Sequence, residues 1–382
     1  MNPPQSFKGA APSPRPPVPD WPYLVEKSRQ EGVSAVLFQH ITKRHLEELV
    51  PEEALEALAQ DYRANLKYNL SAIGRLREVL KAFQQAGLSC IVLKGMDLAE
   101  HAYPNLAMRG MSDADLLVKK ETLPAADRLL SSLGYAAMDS SPAKAGANPA
   151  GYLASLDYRK KESPLNLHVH WHTVNTSVPA TLFVNRVDMN RLWDNAVPTQ
   201  VADSQAFTLR PEHAIIYLCE HALRVGHSFD RLILVCDLFF TIKAFAAVID
   251  WDWLVEESRR FGLSRWVYFS LAIVSHYSGL EIPGRALGKL KPPQISWGER
   301  LFLRLQFGDR RIRGSSYLLY LALNRRLPDR VRFIARTFFP PPQILLQRQY
   351  RKDAVFSNAL YLSRLREGFS HLGKLLAAFG QR

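Results

Sequence analysis

The sequence predicts an α+β protein in which a small mixed β-sheet is flanked by an N-terminal helical segment and a large C-terminal helical half. Residues 52–86 repeat apolar side chains at intervals of three and four, which is the period of a buried helical stripe. Short apolar runs at 89–94 and 113–118 have the length and composition of buried strands. From residue 211 onward, nearly every segment again has a helical pattern.

The chain divides into four predicted regions. Residues 1–20 contain seven prolines and few large apolar side chains, so we expect a disordered tail that cannot repay its ordering entropy. Residues 21–88 are predicted to form the N-terminal helical segment, 89–205 the α/β core, and 206–382 a helical region with a basic C-terminal end.

Local signals define the individual elements. Pro51 suits the start of the helix 52–86 and Gly87 its end, while Thr122 and Gly134 bound a second helix in the same way. The other predicted helices cover 34–49, 96–103, 211–224, 230–246, 251–262 and 264–278, with several basic helices after 297. A loop is predicted at 139–151, and a hairpin at 152–160 and 165–172.

Composition excludes several classes of protein. No apolar run reaches the roughly 18 residues that a membrane-spanning helix needs. The N-terminus lacks the basic and apolar pattern of a signal peptide. Cys90, Cys219 and Cys236 have neither metal-ligand spacing nor an even disulfide framework, so we expect buried thiols and a cytoplasmic protein.

The net charge of +13 is carried entirely by the last 83 residues, which hold 17 basic and 4 acidic side chains. A basic end of this kind either contacts a polyanion through residues 300–382 or forms a well-solvated helical surface. Within it, residues 329–339 (DRVRFIARTFF) mix arginine with apolar side chains. This segment is either a basic helix packed on its own domain or a helix lying on an acidic membrane surface.

The strand predicted at 113–118 begins with two carboxylates, Asp113 and Asp115. Because side chains at i and i+2 of a strand point the same way, these carboxylates project together and repel each other unless a cation lies between them. Magnesium is typically held by one or two carboxylates together with substrate phosphates. The pair therefore predicts a metal site, although Asp-x-Asp also occurs on exposed strands without a metal.

The preceding strand ends at Lys94 and Gly95, directly before a helix. Glycine allows a phosphate to approach the backbone, a helix N-terminus offers free N–H groups, and lysine adds a positive charge. We therefore favour a phosphate-binding role over a solvated strand end. Arg109 reaches the same phosphates, holds the Asp113–Asp115 pair in place or forms a structural ion pair.

The strand predicted at 165–172 has its own pattern. Leu165, Leu167, Val169 and Trp171 alternate with Asn166, His168, His170 and His172. Three imidazoles therefore share one surface, and histidine prefers zinc, manganese or similar ions over magnesium. The alternatives are a metal site, a proton acceptor at His168, and a polar strand face without a ligand.

Together these residues resemble the uncharacterised bacterial nucleotidyltransferase family of the DNA-polymerase-β-like superfamily. The resemblance is carried by Lys94-Gly95, Tyr103, Arg109, Ser112-Asp113-Ala114-Asp115-Leu116-Leu117-Val118 and His170-Trp171. It extends over roughly residues 30–350. It implies a small mixed sheet flanked by helices, and transfer of a nucleoside monophosphate from a nucleoside triphosphate (NTP) to an acceptor with release of pyrophosphate.

The resemblance also implies residue roles. A glycine near a helix start grips the triphosphate in that superfamily, and an Asp-x-Asp pair binds the metal ions. The candidate nucleotide-binding residues are then Lys94, Gly95, Arg109 and Ser112. The candidate metal ligands are Asp113 and Asp115, with His168 and His170 as further candidates, and the candidate catalytic residues are Asp113, Asp115 and His168. The expected cofactor is Mg²⁺, with Mn²⁺ as an alternative.

Two features depart from the superfamily pattern. Seventeen residues separate Gly95 from Asp113, which is a longer spacer than in compact members. The third carboxylate, which a later strand usually supplies, is replaced by His168. Asp157, on the other strand of the predicted hairpin, is a substitute carboxylate with little support from the sequence.

Three functions remain open at this point. The first is an active metal-dependent nucleotidyltransferase with an unknown acceptor. The second is a nucleotide-binding scaffold that has lost its chemistry, and the third is a basic adaptor for nucleic acid or a membrane surface. His213, His221 and Asp237, on predicted helices, either face the active cleft or are ordinary partly buried polar residues.

Overall fold

The structure is a computed structural model. It describes residues 19–138, 154–174, 186–224, 227–307, 314–323, 326–340, 342, 345 and 357–380. The predicted loop at 139–151 lies outside the described residues, and so does the predicted tail except for residues 19 and 20.

The N-terminal segment contains three helices, α1 (Trp21–Gln30), α2 (Ser34–Lys43) and α3 (Glu52–Gln85). Helix α1 was not predicted from the sequence, although its start carries a clear signal. Asp20 caps it by accepting a hydrogen bond from the N–H of Tyr23 at 3.1 Å. Helix α3 matches the predicted helix 52–86 closely.

The predicted helix 34–49 was wrong in its second half. Helix α2 ends at Lys43, and only a short 3₁₀ turn follows at Glu47–Leu49. His45 adopts a left-handed conformation with φ of 56°, and the N–H of Leu46 bonds to the carbonyl of Ile41 at 3.0 Å. This closure of the helix end lets Leu46 pack against the apolar cluster formed by α1, α2 and α3.

The α/β core follows α3. Its strands are β1 (Ile91–Leu93), β2 (Asp113–Leu117), β3 (Ala136–Ala137), β4 (Ser155–Arg159), β5 (Asn166–His170), β6 (Val197–Val201) and β7 (Ser204–Thr208). Its helices are α4 (Lys94–His101), α5 (Leu123–Ser132) and α6 (Met189–Asp194). The predicted hairpin is confirmed, because β4 and β5 pair antiparallel around a turn at Glu162.

The strands form a mixed sheet in the order β3-β4-β5-β2-β1-β7-β6. Strand β2 pairs parallel to β5 and antiparallel to β1, and β1 pairs parallel to β7. The β6–β7 hairpin was not predicted from the sequence. Its turn residues, Ala202 and Asp203, are both left-handed, but they are not the Asn-Gly pair that makes such a hairpin turn recognisable in a sequence. In addition, β6 is mostly exposed and contains Pro198, so it lacks the pattern of a buried strand.

The C-terminal half is helical, as predicted. Its helices are α7 (Pro211–Leu223), α8 (Ile233–Ala244), α9 (Trp251–Arg260), α10 (Ser264–Ser278), α11 (Gly284–Leu290), α12 (Trp297–Phe307), α13 (Tyr317–Leu323), α14 (Leu327–Phe338) and α15 (Ala359–Gly380). Among the described residues, no helix combines the length and the apolar character needed to cross a bilayer.

The two faces of the sheet have different surroundings. On one face, Val92, Leu116 and Val169 pack with apolar side chains of α3 and α5 in a shared core. On the other face, Ile91, Leu93 and Leu117 join a larger core that includes α7, α8 and α10. The predicted α+β class, with helices flanking a mixed sheet, is therefore confirmed.

Candidate functional site

A cleft of about 860 Å³ opens where the sheet, the N-terminal helices and the helical half meet. Residues from α1 and α3 line one side, including Arg29, Asp61 and Asn65. The segment at the end of α7 lines the opposite side with His221 and Arg224. The cleft has the size of a small-molecule site and lies at a junction of structural units, where ligand sites are common.

The floor of the cleft is the polar end of one sheet face. Strand pairing places Asp115 beside His168, and His168 beside Asp157, while Ser155 pairs with His170. Since side chains two apart on a strand share a face, the alternation brings three carboxylates and two imidazoles together. The floor consists of Asp113, Asp115, Ser155, Asp157, His168 and His170.

Asp115 is the centre of this cluster and is almost completely buried. Its Oδ2 contacts the Lys94 ammonium at 2.5 Å, and its Oδ1 accepts a hydrogen bond from His170 Nε2 at 2.9 Å. His168 Nδ1 lies 3.3 Å from the same Oδ1. Potential ligand atoms of Asp115, His168 and His170 all lie within 4.8 Å of one another, so this trio has the geometry of a metal site.

The environment fixes the charge of this cluster. Burial alone would raise the pKa of Asp115, but the charge of Lys94 and the hydrogen bonds from His168 and His170 hold that pKa well below its usual value. Burial and the neighbouring His168 lower the pKa of His170 to about 3. His170 is therefore neutral at physiological pH, and its Nδ1 has no hydrogen-bond partner among the described residues.

His168 bridges two strands at the cleft floor. Its Nε2 lies 2.6 Å from Ser155 Oγ and 3.7 Å from Asp157 Oδ1. Asp157, which the sequence supported only weakly, therefore supplies a third carboxylate on the same surface as Asp115. The signal that locates it is the hairpin register, which a single sequence does not reveal.

The lysine–glycine corner lies next to Asp115. Gly95 has φ of 42° and ψ of −100°, a conformation that side chains with a Cβ rarely adopt, and it separates Lys94 from the regular part of α4. A Cβ at this position would approach the carbonyl of Asp113 to 3.5 Å. The corner thus places the ammonium group of Lys94 and a residue without a Cβ, Gly95, in the wall of the cleft.

Arg109 and Ser112 occupy different situations at the cleft wall. The guanidinium of Arg109 donates to both oxygens of Asp237, at 2.7 and 2.9 Å, and Tyr103 donates to the same carboxylate at 2.7 Å. Arg109 therefore forms an ion pair, which was one of the alternatives from the sequence, and it also lines the cleft. Ser112 donates to Asp113 Oδ1 at 3.0 Å, at the exposed mouth of the cluster.

The helical wall contains residues that the sequence analysis did not single out. Arg224 is buried, pairs with Glu220 at 2.5 Å and donates to the carbonyl of Thr173. Of the candidates His213, His221 and Asp237, His221 lines the cleft, and its Nδ1 has no hydrogen-bond partner among the described residues. His213 instead contacts Glu257 in the helical core, and Asp237 forms its ion pair with Arg109.

Comparison with known proteins identifies the family. The model of an uncharacterised nucleotidyltransferase family matches residues 17–279. The chain belongs to this family. The matched range covers the N-terminal helices, the whole sheet and the helical wall of the cleft, so every residue of the site described above lies within it. A search of curated proteins finds no significant match.

Members of a nucleotidyltransferase family are expected to use divalent metal ions, and the residues at the cleft floor fit one. Asp115, His168 and His170 offer one oxygen and two nitrogen donors, and Asp113 adds a carboxylate on the same face. Imidazole donors suit Mn²⁺, Zn²⁺ or similar ions better than Mg²⁺. Nε2 of His170 now donates its proton to Asp115. An ion bound at Nε2 would displace that proton, because metal ligation requires deprotonated donors.

Proposed function

We propose that this family member is a metal-dependent nucleotidyltransferase that moves a nucleoside monophosphate from an NTP to an acceptor. The observation that supports this most strongly is the convergence of Asp113, Asp115 and Asp157 beside the Lys94–Gly95 corner in one cleft. Three carboxylates on one surface repel each other strongly, and a cation with a polyphosphate relieves that repulsion.

In this proposal Asp113 and Asp115 hold the divalent cation, with His168 and His170 as additional ligands. The bound ion would neutralise charge on the phosphate oxygens. The donor set leads us to propose Mn²⁺ as the preferred ion, with Mg²⁺ as the weaker alternative.

Lys94 has two alternating partners in this scheme. Without nucleotide it neutralises Asp115. With nucleotide bound, its ammonium would turn to the β- and γ-phosphates, and a cation held by Asp115 would supply the positive charge beside that carboxylate. Gly95 lines the same cleft, and the absence of a Cβ allows the phosphates to approach its backbone.

The transfer step is an in-line displacement. The acceptor hydroxyl oxygen bonds to the α-phosphorus as the bond from that phosphorus to the bridging oxygen breaks, and pyrophosphate leaves with the electron pair. Asp157 is the group that we propose to take the hydroxyl proton, with His168 orienting it, since the two side chains lie 3.7 Å apart across the strands. The chain supplies positioning and charge without a covalent intermediate.

The proposal is tested by following pyrophosphate release from each of the four NTPs with Mg²⁺, Mn²⁺ or Zn²⁺. A metabolite extract serves as the source of acceptor. The expected result is metal-dependent pyrophosphate release, highest with Mn²⁺, that disappears in the Asp113→Asn/Asp115→Asn variant. The matched control is Asp203→Asn/Asp252→Asn, which removes two exposed carboxylates outside the cleft. Unchanged turnover in Asp113→Asn/Asp115→Asn would contradict the proposal that this site catalyses nucleotidyl transfer.

A second candidate is a nucleotide-binding protein without turnover. The observation in its favour is that both oxygens of Asp115 already contact nitrogen atoms, from Lys94 on one side and from His168 and His170 on the other. It predicts that NTP with a metal ion raises the melting temperature while no pyrophosphate appears under any condition.

A further inference from the structure

Helix α14 exposes an apolar stripe on a protein surface rich in arginine. Leu327, Val331 and Ile334 are 72%, 57% and 44% exposed, although each is a large aliphatic side chain. Successive residues of a helix are rotated by about 100°, so these three positions fall on one side of the helix within about a quarter of its circumference. Scattered exposed aliphatic residues are ordinary, but a continuous stripe on one helix face is a feature of binding surfaces.

The opposite flank of α14 holds the helix on the protein. Phe333 is buried and stacks on Tyr320 of α13 with ring centroids 6.0 Å apart, and Thr337 is buried beside it. Arg364 of α15 donates to the carbonyl of Thr337 at 2.5 Å. The helix therefore uses one apolar face for its own domain and presents a second one outward.

Positive charge borders one side of the outward stripe. Arg330 lies about 40° around the helix from Ile334, and Arg326 directly precedes the helix; both are exposed. Arg332 and Arg336 are also exposed, but they lie on the opposite side of the helix, near Asp329. This arrangement continues the imbalance of the whole C-terminal region, which carries the entire net charge of the chain. An apolar stripe bordered by arginines matches a surface that is apolar inside and anionic at its boundary.

We propose that this face of α14 binds the surface of an anionic lipid bilayer, with Leu327, Val331 and Ile334 inserted at the level of the acyl boundary. The flanking arginines contact lipid phosphates, since their long side chains reach the headgroups while the stripe is buried. Single-stranded nucleic acid fits this face less well. Its recognition uses aromatic side chains that stack on bases, and the stripe is aliphatic. The inference is independent of the chemistry in the cleft.

The test uses the full chain and vesicle flotation. Vesicles of phosphatidylcholine alone are compared with vesicles in which about one third of the lipid is phosphatidylserine. We expect binding to the anionic vesicles to be at least about tenfold tighter, and to weaken as salt is raised. The triple variant Leu327→Ser/Val331→Ser/Ile334→Ser is expected to lose at least about tenfold in affinity for the anionic vesicles.

The control is a triple variant with the same substitutions elsewhere. Leu49, Leu70 and Val248 are 71%, 55% and 65% exposed, so Leu49→Ser/Leu70→Ser/Val248→Ser removes similar apolar surface outside α14. It is expected to bind vesicles as the wild type does. Stabilisation by an NTP with Mn²⁺ checks the cleft separately, and the α14 variant is expected to retain whatever stabilisation the wild type shows.

A second variant tests the same surface without changing the apolar stripe, in case the triple serine variant misfolds. Arg326→Gln/Arg330→Gln leaves the stripe intact and changes only exposed side chains beside it, and it is expected to weaken anionic vesicle binding by several-fold. Arg332→Gln/Arg336→Gln removes the same charge from the opposite side of the helix and is expected to weaken that binding less. The proposal is overturned if the wild type floats with neither kind of vesicle, or floats equally with both. It is also overturned if the stripe variant binds as well as the control, or if the protein binds single-stranded RNA but no vesicles.

Discussion

The ammonium of Lys94 lies 2.5 Å from Oδ2 of Asp115, and this contact joins the end of β1 to the centre of β2. Asp115 is buried, with 1% of its side chain exposed, and Lys94 is largely covered, with 12% of its side chain exposed. A buried pair of this kind is expensive to break from one side, because the remaining charge loses its partner. In the proposed mechanism, Lys94 binds phosphate when a cation neutralises Asp115.

Replacing Lys94 is expected to weaken nucleotide binding. Lys94→Met keeps the length of the side chain and removes its charge, and we expect the dissociation constant for NTP to rise at least about tenfold. The measurement is calorimetric titration with NTP and Mn²⁺. Lys81→Met, at an exposed position of α3 outside the cleft, is the control and should leave the affinity unchanged. Equal affinities in both variants would exclude Lys94 from phosphate binding.

The identity of the proton acceptor can be tested at the β4–β5 pair. Asp157→Asn keeps the shape and removes the basic carboxylate, so we expect kcat to fall by about 100-fold while the KM for NTP changes little. His168→Asp should not raise turnover if Asp157 already provides the third carboxylate. An increase in kcat in His168→Asp would instead mean that His168 marks a weakened site.

The ion pair between Arg109 and Asp237 is expected to stabilise the cleft wall. Asp237→Leu leaves the buried guanidinium of Arg109 without its partner, and we expect a loss of about 3–5 kcal/mol in the free energy of unfolding. The double variant Arg109→Met/Asp237→Leu should recover much of that loss, because no unpaired charge remains. Urea denaturation of the two variants checks this, and an equally unstable double variant would contradict it.

The stability of the fold is expected to fall at acidic pH, partly through His213. Burial lowers the pKa of His213, and the contact with Glu257 opposes this only in part. Below about pH 6.5 the unfolded chain binds a proton that the folded chain does not, so stability is present above that pH and is lost as pH falls toward the lowered folded pKa.

The pH dependence gives a measurable slope. His213→Gln should reduce the slope of unfolding free energy against pH, over pH 5–6.5, by up to about 1.4 kcal/mol per unit. Urea denaturation at several pH values measures it, with the exposed His40→Gln as the matched variant. A slope that is the same in wild type and His213→Gln would show that His213 is charged in the folded protein.

Much of the site followed from local patterns in the sequence. Asp113 and Asp115 share the cleft floor because strand periodicity alone puts them on one face, and the alternation in 165–172 correctly separated His168 and His170 from Leu167 and Val169. The Lys94-Gly95 pair before a helix indicated a corner near the Asp pair, and both residues line the cleft. These inferences need only the geometry of one strand at a time.

The rest depended on contacts between distant segments. Asp157 joins the site through its register with His168, and Arg224 reaches the cleft only because α7 packs against the sheet. Arg109 lies four residues before Asp113, yet its partner is Asp237, 128 positions along the chain. A single sequence contains no signal for such pairings, so Asp157 as the third carboxylate and the ion pair of Arg109 were each named only as one alternative among others.

The central claim is that Asp115 and its neighbours hold a divalent cation together with a nucleotide. Electron paramagnetic resonance measures it directly, because the signal of free Mn²⁺ falls as the ion binds. We expect the wild type, and the control variant Asp252→Asn, to bind Mn²⁺ more tightly when NTP is present. Asp115→Asn should weaken this binding at least about 100-fold. Undiminished binding of Mn²⁺ with NTP by Asp115→Asn would contradict the account.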